Sequence, residues 1–293
     1  MPARLTAYLP EQAAAEFYLA TGANARVGRT PGNEITLAHP SVSREHACLE
    51  PVGPSWRLRD LGSKNGSTAN GESPTDAPLG EHAWLRFGDV TCEFRLLDEA
   101  THARALAERG QRQQASAVYQ RRLEQSRALP DLLRATLAAV VELAGCERGF
   151  LLVMGPDGPE VRAWQGLDAS QLAAPAFAGS AGAVEQALRE RRAVVLNDAS
   201  QDACLGARAS VLAGGIRALV CLPLAVGQDV LGLAYADSRQ PGRAITALDL
   251  ELLSAFAERA ALWLAARRSE LQLADASRAA WPRQGSPAAG GGR

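Results

Sequence analysis

Three segments within the first seventy residues decide the fold of the N-terminal half: RVGRTPGNEITL at 26–37, SVSREH at 41–46 and LRDLGSKNG at 58–66. Each segment joins strand-forming residues to a turn, and these turns contain Arg29, Ser43, Arg44 and Lys64. Arginine can hold a phosphate with two parallel charge-assisted hydrogen bonds, and a serine hydroxyl or the N–H groups of a glycine-rich turn can complete the shell. The three segments therefore predict one anion-binding site built from loops.

The first hundred residues have the pattern of an antiparallel sandwich. Short runs rich in strand formers alternate with turn signals at spacings near ten residues. The runs lie at 5–9, 16–20, 25–29, 34–37, 45–50, 55–60, 83–87 and 91–97. Many short strands with regular turns indicate a β-sandwich, which carries its recognition groups on the loops at one end. No helical periodicity occurs before about Asp98, so we expect an all-β domain over residues 1–98.

The ordered motifs of this region resemble a known family. GRxxxN from Gly28, SVSREHA from Ser41, LRDLGSKNG from Leu58 and a following Asn70-Gly71 are together similar to the forkhead-associated (FHA) domain. That family is a β-sandwich that binds phosphothreonine peptides. The resemblance therefore implies a phosphothreonine-binding domain.

The resemblance also implies a role for each motif residue. The phosphopeptide-binding residues it implies are Arg29, Ser43, Arg44, Lys64 and Asn65. Of these, Asn65 is expected to hold the peptide backbone, because its amide offers both a donor and an acceptor. The residues expected to support the site are Gly28, His46, Gly66 and Asn70. We expect His46 to brace the loops and not to touch the phosphate.

Composition excludes several classes of protein. The chain has 293 residues, 47% of them hydrophobic, and a formal net charge of -1, which suits two soluble domains and favours neither nucleic acid nor a membrane as partner. The N-terminus lacks a secretory signal, and no apolar run reaches the roughly 18 residues that span a bilayer. The five cysteines include no CxxC, and the four histidines show no metal-binding spacing. We expect a cytoplasmic protein without a bound metal.

Residues 99–129 connect the two halves. They are rich in Ala, Arg, Gln and Glu, which favour helix, and their apolar stripe is thin. Gly110 interrupts this pattern, and Pro130 marks the start of a new helix. We predict a helical linker of the signalling type or a short dimer coil.

Residues 130–271 alternate helices and strands. The predicted helices lie at 130–146, near 182–191, near 210–214 and from Thr246 to about Leu271, with Asp249 in a capping box. The predicted strands lie at 149–154, 160–166 and 193–198 and in a hairpin at 218–237. This order predicts an α/β domain, a sheet covered by helices. The tail at 272–293 is predicted to be disordered.

The same region resembles the GAF domain family. The resemblance rests on ELAGCERGFLLV, VVLNDASQDA, GIRALVCLPL, VLGLAYADSR and TALDLELLSAFAERAA. It implies a small-molecule pocket and dimerisation through the terminal helices. Candidate pocket residues are Trp164, Cys204, Cys221 and Tyr235. No histidine follows His102, so histidine-ligated haem or iron is not expected there, and no cofactor is predicted beyond an unidentified small molecule.

No catalytic motif accompanies these domains. The sequence has no nucleophile elbow, Walker A loop, HExxH or kinase signature. We predict a non-catalytic bacterial signalling protein that binds a phosphothreonine protein, either a Ser/Thr kinase or its substrate. Its second domain is expected to sense a ligand or to form a homodimer. One alternative is the input half of a transcriptional regulator, kinase or cyclase system that acts on an output module in trans. Another is a GAF-type redox enzyme, although Cys146, Cys204 and Cys221 do not match its ordered cysteines.

Overall fold

The computed structural model describes residues 1–9, 12–74, 76–125, 128–168, 172, 181–197, 216–240 and 244–280. These residues form an N-terminal β-sandwich and a C-terminal α/β domain, joined by a long helix. This is the architecture that the sequence predicts.

The N-terminal domain contains nine strands in two sheets. They are β1 (Ala3–Tyr8), β2 (Ala15–Leu19), β3 (Ala25–Gly28), β4 (Ile35–Thr36), β5 (Ala47–Val52), β6 (Ser55–Asp60), β7 (Ser67–Ala69), β8 (His82–Phe87) and β9 (Val90–Leu96). One sheet has the order β2-β1-β9-β8-β7 and the other β4-β3-β5-β6. Alternate side chains point inward, so that Leu5, Leu49, Leu85 and Phe94 fill the space between the sheets.

Strand β7 was not among the predicted strands. It has only three residues, and Ser67 is the one that is buried. Polar residues without an apolar alternation carry no strand signal, so the sequence predicts a turn here. Pairing with β8, from Ser67 opposite Phe87 to Ala69 opposite Leu85, makes the segment a strand.

The linker is the helix α1 (Glu99–Gln125). The Asp98 carboxylate accepts a hydrogen bond from the Thr101 N–H at 2.6 Å and caps its first turn. The helix continues through Gly110, because one glycine among strong helix formers costs only about 1 kcal/mol. Tyr119 and Leu123 are buried in the core of the second domain, which holds the end of α1 against that domain.

The C-terminal domain is one antiparallel sheet between helices. Its elements are α2 (Leu129–Leu143), β10 (Arg148–Gly155), β11 (Gly158–Gln165), α3 (Ala181–Glu190), β12 (Val194–Asn197), β13 (Ala218–Val226), β14 (Asp229–Ser238) and α4 (Ala247–Ala280). The sheet order is β11-β10-β14-β13-β12. Leu137 and Val140 of α2 and Phe256 of α4 pack on one face, and Ala187 of α3 packs on the other.

Helix α4 begins as predicted and ends later. The Thr246 N–H and hydroxyl both donate to the Asp249 carboxylate, at 2.9 and 2.8 Å, which forms the predicted cap. The helix continues to Ala280, so the prediction of disorder is wrong for residues 272–280. Alanine-rich sequence favours helix even where no core covers it. Residues 281–293 and the helix predicted at 210–214 lie outside the described residues. Among the helices of the described ranges, none is long and apolar enough to cross a membrane.

Candidate functional site

The loops that carry the predicted binding residues meet at one end of the sandwich. They form a depression of about 840 Å³. Its lining includes all five predicted phosphopeptide-binding residues: Arg29, Ser43, Arg44, Lys64 and Asn65. The structure therefore brings together three loops that are far apart in sequence.

The cations of this depression are free of internal partners. Arg29, Arg44 and Lys64 are exposed, and none of them forms an ion pair with a described carboxylate. Other exposed arginines of the domain are paired: Arg26 with Glu34 at 3.1 Å and Arg59 with Glu50 at 2.7 Å. Three cations without a described carboxylate partner therefore lie where the loops converge.

Ser43 joins two of the loops. Its carbonyl oxygen accepts a hydrogen bond from the Arg29 N–H at 3.0 Å, and its hydroxyl oxygen accepts one from the Lys64 N–H at 3.1 Å. Because the hydroxyl accepts this bond, its own hydrogen is still available to donate to a ligand oxygen. Ser43 thus fixes the spacing between Arg29 and Lys64 and presents a donor between them.

His46 lies buried beneath the loops, as predicted. Its Nδ1 accepts a hydrogen bond from the Ser43 N–H at 3.0 Å. The neutral ring then carries its proton on Nε2, which donates to the Gly66 carbonyl oxygen at 3.0 Å. The ring also meets Phe87 edge-on, with centroids 5.8 Å apart. His46 thus connects two loops without reaching the depression.

Gly28 and Asn33 hold the Arg44 loop close to the Arg29 loop. A Cβ atom at Gly28 would lie 2.1 Å from the Arg44 carbonyl oxygen, so no side chain fits there. The Asn33 amide is buried and donates to the same oxygen at 2.8 Å and to the Thr30 carbonyl oxygen at 2.9 Å. Sequence reasoning quoted Asn33 only as part of GRxxxN, and that spacing was the signal of its role.

Asp60 organises the loop that carries Lys64 and Asn65. Its carboxylate accepts hydrogen bonds from the Gly62 and Ser63 N–H groups at 2.9 and 2.8 Å and from the Ser67 hydroxyl at 2.5 Å. Burial alone would raise the pKa of Asp60, but these hydrogen bonds to the charged form outweigh burial and lower it. Sequence reasoning did not single out Asp60.

Asn65 has one of its two polar groups already engaged. Its amide Nδ2 donates to the Ser41 carbonyl oxygen at 2.8 Å. The acceptor Oδ1 has no hydrogen-bond partner in the described part of the chain. From the sequence, both the donor and the acceptor of Asn65 are expected to serve the peptide. In the structure only the acceptor Oδ1 is available, and it suits a peptide N–H.

Gly66 and Asn70 support the region in different ways. Gly66 has a φ of 73°, and its carbonyl oxygen accepts from His46 and from the Gly88 N–H. Asn70 lies beyond β7, at its other end, where its Oδ1 accepts from the Trp84 N–H at 2.8 Å. Asn70 therefore stabilises the connection to β8 and does not contact the loops of the depression.

The residues predicted to form a pocket in the second domain follow one row across its sheet. Trp164 is opposite Phe150, Phe150 is opposite Tyr235, and Tyr235 is opposite Cys221. Tyr235 and Cys221 are fully buried, whereas Trp164, at the edge, is 50% exposed. Burial raises the pKa of the Cys221 thiol, which keeps the thiol protonated. The fourth candidate, Cys204, lies outside the described residues.

A buried ion pair lies beside this row, two residues along from the pair of Phe150 and Tyr235. The Arg148 guanidinium contacts the Asp237 carboxylate with both Nε and Nη2. The Tyr235 hydroxyl donates to the same carboxylate at 2.5 Å, and the Tyr235 ring stacks on Phe150 with centroids 4.8 Å apart. The charge on this face is therefore satisfied internally.

Comparison with protein families agrees with these two architectures. A family model of the FHA domain matches residues 25–90, and one of the GAF domain matches residues 128–264. An FHA domain-containing protein of Arabidopsis thaliana is 34% identical over 74 residues, which are 24% of this chain and 19% of that protein. The chain thus matches about a fifth of that curated relative's length.

Two solved structures are similar to separate parts of the chain. Mycobacterium tuberculosis EmbR in complex with a low-affinity phosphopeptide is 26% identical, over 32% of this chain and 24% of EmbR, with a TM-score of 0.28. The GAF domain of a Coxiella burnetii phosphoenolpyruvate-protein phosphotransferase is 13% identical, over 55% of this chain and 96% of that domain, with a TM-score of 0.43.

Proposed function

Because the chain carries an FHA domain followed by a GAF domain, we propose that it is a non-catalytic signalling protein whose FHA domain binds phosphothreonine segments of partner proteins. The proposal places phosphate recognition in the depression at the end of the sandwich. Its partner is a protein phosphorylated on threonine, either a Ser/Thr kinase or a kinase substrate, met in the cytoplasm.

One observation carries this proposal: three unpaired cations and a serine hydroxyl surround a single depression. A phosphothreonine carries about -1.5 to -2 charges at neutral pH and three acceptor oxygens. Arg29 and Arg44 supply planar donors for these oxygens, Lys64 supplies a point charge, and Ser43 supplies a short hydroxyl donor. Because Ser43, His46 and Asn33 hold the loops in place before a ligand arrives, little ordering entropy is lost on binding.

Asn65 gives this site a second element of recognition. A free phosphate would use only the cations and the hydroxyl, whereas a peptide also presents backbone N–H groups. The Oδ1 of Asn65 is an acceptor for one of them. The site therefore favours a phosphorylated peptide over inorganic phosphate.

The test compares matched peptides. A degenerate phosphothreonine library and its unphosphorylated counterpart are titrated against the full chain, and the best sequence is then measured by calorimetry. We expect binding of the phosphorylated form only, and a loss of roughly 10- to 100-fold on Ser43→Ala, since one charge-assisted hydrogen bond contributes about 1.5–3 kcal/mol. Arg95→Ala, an exposed arginine paired with Glu93 on β9, is the control. Equal binding of both peptide forms would overturn the proposal.

For the GAF domain we propose a role in sensing a small molecule or in forming a homodimer. Dimerisation is supported by exposed leucines on α4, where Leu262 is 57% and Leu273 is 68% exposed. They are eleven residues apart, about three helical turns, and so lie on one face. Sedimentation of the wild type and of Leu262→Glu tests this, and a monomer at all concentrations would contradict it. Native mass spectrometry of the purified protein tests for a retained ligand.

A further inference from the structure

The two domains are joined by backbone pairing as well as by α1. Ala14, in the connection between β1 and β2, forms a parallel β-bridge with Thr246, directly before α4. The Ala14 N–H donates to the Ile245 carbonyl oxygen at 2.9 Å, and the Ala247 N–H donates to the Ala14 carbonyl oxygen at 2.8 Å. The neighbouring Ala13 packs into the core of the GAF domain. The FHA domain is therefore anchored to the GAF domain at a defined point.

The GAF side of this anchor is held in place. The Asn197 Nδ2 donates to the Ile245 carbonyl oxygen at 3.0 Å, and the Asn197 Oδ1 accepts from the Ile245 N–H at 2.8 Å. The Ile245 carbonyl oxygen thus accepts one hydrogen bond from each domain, and the Ile245 side chain is fully buried. Ala14 consequently docks against a segment that the GAF domain holds in place.

This anchor lies at the same end of the sandwich as the phosphopeptide site. Tyr8, at the end of β1, pairs with Thr91 near the start of β9. The β1–β2 connection and the β8–β9 turn therefore lie at the same end of the strands. The β8–β9 turn touches the site, because the Asp89 N–H donates to the Ser41 hydroxyl at 2.8 Å. The Ser41 carbonyl oxygen in turn accepts a hydrogen bond from the Asn65 Nδ2. The GAF domain is therefore attached at the end of the sandwich that carries the depression.

The distance from the anchor at Ala14 to the β8–β9 turn is small compared with the size of the GAF domain. Strands β2 and β9 are separated only by β1, which places the anchor about 10 Å across the sheet from the β8–β9 turn. A domain of about 140 residues has a radius of gyration of about 14 Å. The GAF domain therefore extends farther from its anchor than the anchor lies from the β8–β9 turn.

Resting on the proposed function, we infer that the docked GAF domain limits the FHA site to phosphothreonines in extended, flexible segments and excludes those held close to a folded body. A short peptide needs only the depression and the loops around it. A phosphothreonine a few residues from a folded domain must bring that domain up against the GAF domain. The anchor at Ala14 thus acts as a specificity determinant for the class of partner.

The experiment varies the distance between one phosphothreonine peptide and a folded carrier. The peptide is joined to ubiquitin by a Gly-Ser linker of about 2 or about 20 residues, on either end, and titrated against the full chain. We expect the free peptide and the long-linker probe to bind equally. With ubiquitin joined to at least one of the two peptide ends, the short-linker probe is expected to bind at least about tenfold more weakly than the free peptide.

Two variants then release the anchor. Ala14→Pro removes the N–H that donates to Ile245, and Ala13→Glu puts a charge into the apolar contact. In both, the short-linker penalty is expected to fall to about threefold or less, while free-peptide affinity stays unchanged. The comparison of short-linker and long-linker probes on the wild type needs no variant. It therefore tests the inference even if a variant fails to fold.

Each result has one meaning. Equal wild-type affinity for the short-linker and long-linker probes at both ends overturns the inference and leaves phosphopeptide binding standing. A penalty that persists in both folded variants also overturns it, since the FHA loops themselves would then cause the exclusion. Absence of binding by every probe, including the free peptide, overturns the proposed function.

Discussion

The two domains treat charge in opposite ways. At the loop end of the FHA domain, Arg29, Arg44 and Lys64 face solvent without a described carboxylate partner, whereas in the GAF sheet Arg148 is buried against Asp237. An exposed cation stays hydrated and available, but a buried one is stable only beside its counter-ion. The difference indicates where each domain can meet a charged ligand. The FHA domain offers unsatisfied charge, whereas the described part of the GAF sheet offers a largely apolar row beside an ion pair whose charges balance.

The largest effect is expected from breaking the buried pair. Arg148→Met should lower the unfolding free energy of the GAF domain by about 3–5 kcal/mol, because it leaves the Asp237 carboxylate buried without a cation. Urea denaturation measures this. Arg162→Met removes an exposed pair with Glu160 and should cost at most about 1 kcal/mol. An equal loss of unfolding free energy in the two variants would contradict the prediction that the buried pair contributes more than the exposed one.

A smaller effect is expected at the open site. Arg29→Ala should weaken phosphothreonine-peptide binding by roughly 10- to 100-fold, since it removes charge-assisted hydrogen bonds worth about 1.5–3 kcal/mol. Stability should stay within about 0.5 kcal/mol of the wild type, because the side chain is exposed and unpaired. Calorimetry and urea denaturation of the same preparation separate the two quantities. A loss of stability that matches the loss of binding would mark Arg29 as structural.

The lowered pKa of Asp60 predicts that the stability of the FHA domain depends on pH. Asp60→Asn should cost about 1–2 kcal/mol of stability at pH 7, because the hydrogen bonds from Ser67 and the loop N–H groups weaken. The folded-state pKa of Asp60 is lowered, so the charged form stabilises the fold above the ordinary Asp pKa of about 3.9. This contribution is lost as the pH falls through the lowered value.

Urea denaturation from pH 7 to pH 3 should therefore show the Asp60→Asn curve converging on the wild type below about pH 4. Asp76→Asn, at an exposed carboxylate, is the control and should give little difference at any pH. A constant gap between Asp60→Asn and the wild type down to pH 3 would contradict the assignment.

The smallest effect is expected at Lys64. Its ammonium is an exposed point charge, so Lys64→Ala should weaken peptide binding only about two- to fivefold at low salt. The difference should vanish near 1 M salt, where the Debye length is about 3 Å. Affinity titrations at several salt concentrations measure this. A loss as large as that of Arg29→Ala would make Lys64 a principal phosphate ligand.

The sequence predicts the site residues best where the chemistry of the ligand requires one type of side chain. Arg29, Ser43 and Lys64 are unusual enough, in that order and spacing, to be read directly, and the structure places them around one depression. The sequence assigns no role of their own to Asp60 and Asn33, because an acid or an amide in a turn is ordinary. Their importance comes from the several backbone groups that each one bonds, which only the folded loops bring within reach.

The relation between the domains could not be read from the sequence. The anchor consists of backbone groups of Ala14, Ile245 and Ala247, whose side chains carry no distinguishing chemistry. The late end of α4 was missed for a related reason. Disorder was predicted there because the segment cannot bury enough apolar surface, yet alanine-rich sequence favours helix without such burial.

Lys64 has a practical consequence beyond its modest charge. It is the only lysine among 293 residues, and it lies in the depression beside Ser43 and Asn65. Any amine-directed crosslinker, dye or acetylating enzyme therefore has a single side-chain target in this chain, and that target is at the binding surface. Labelling Lys64 places a reporter at the site, whereas immobilising the protein through lysine would cover the surface that is to be measured.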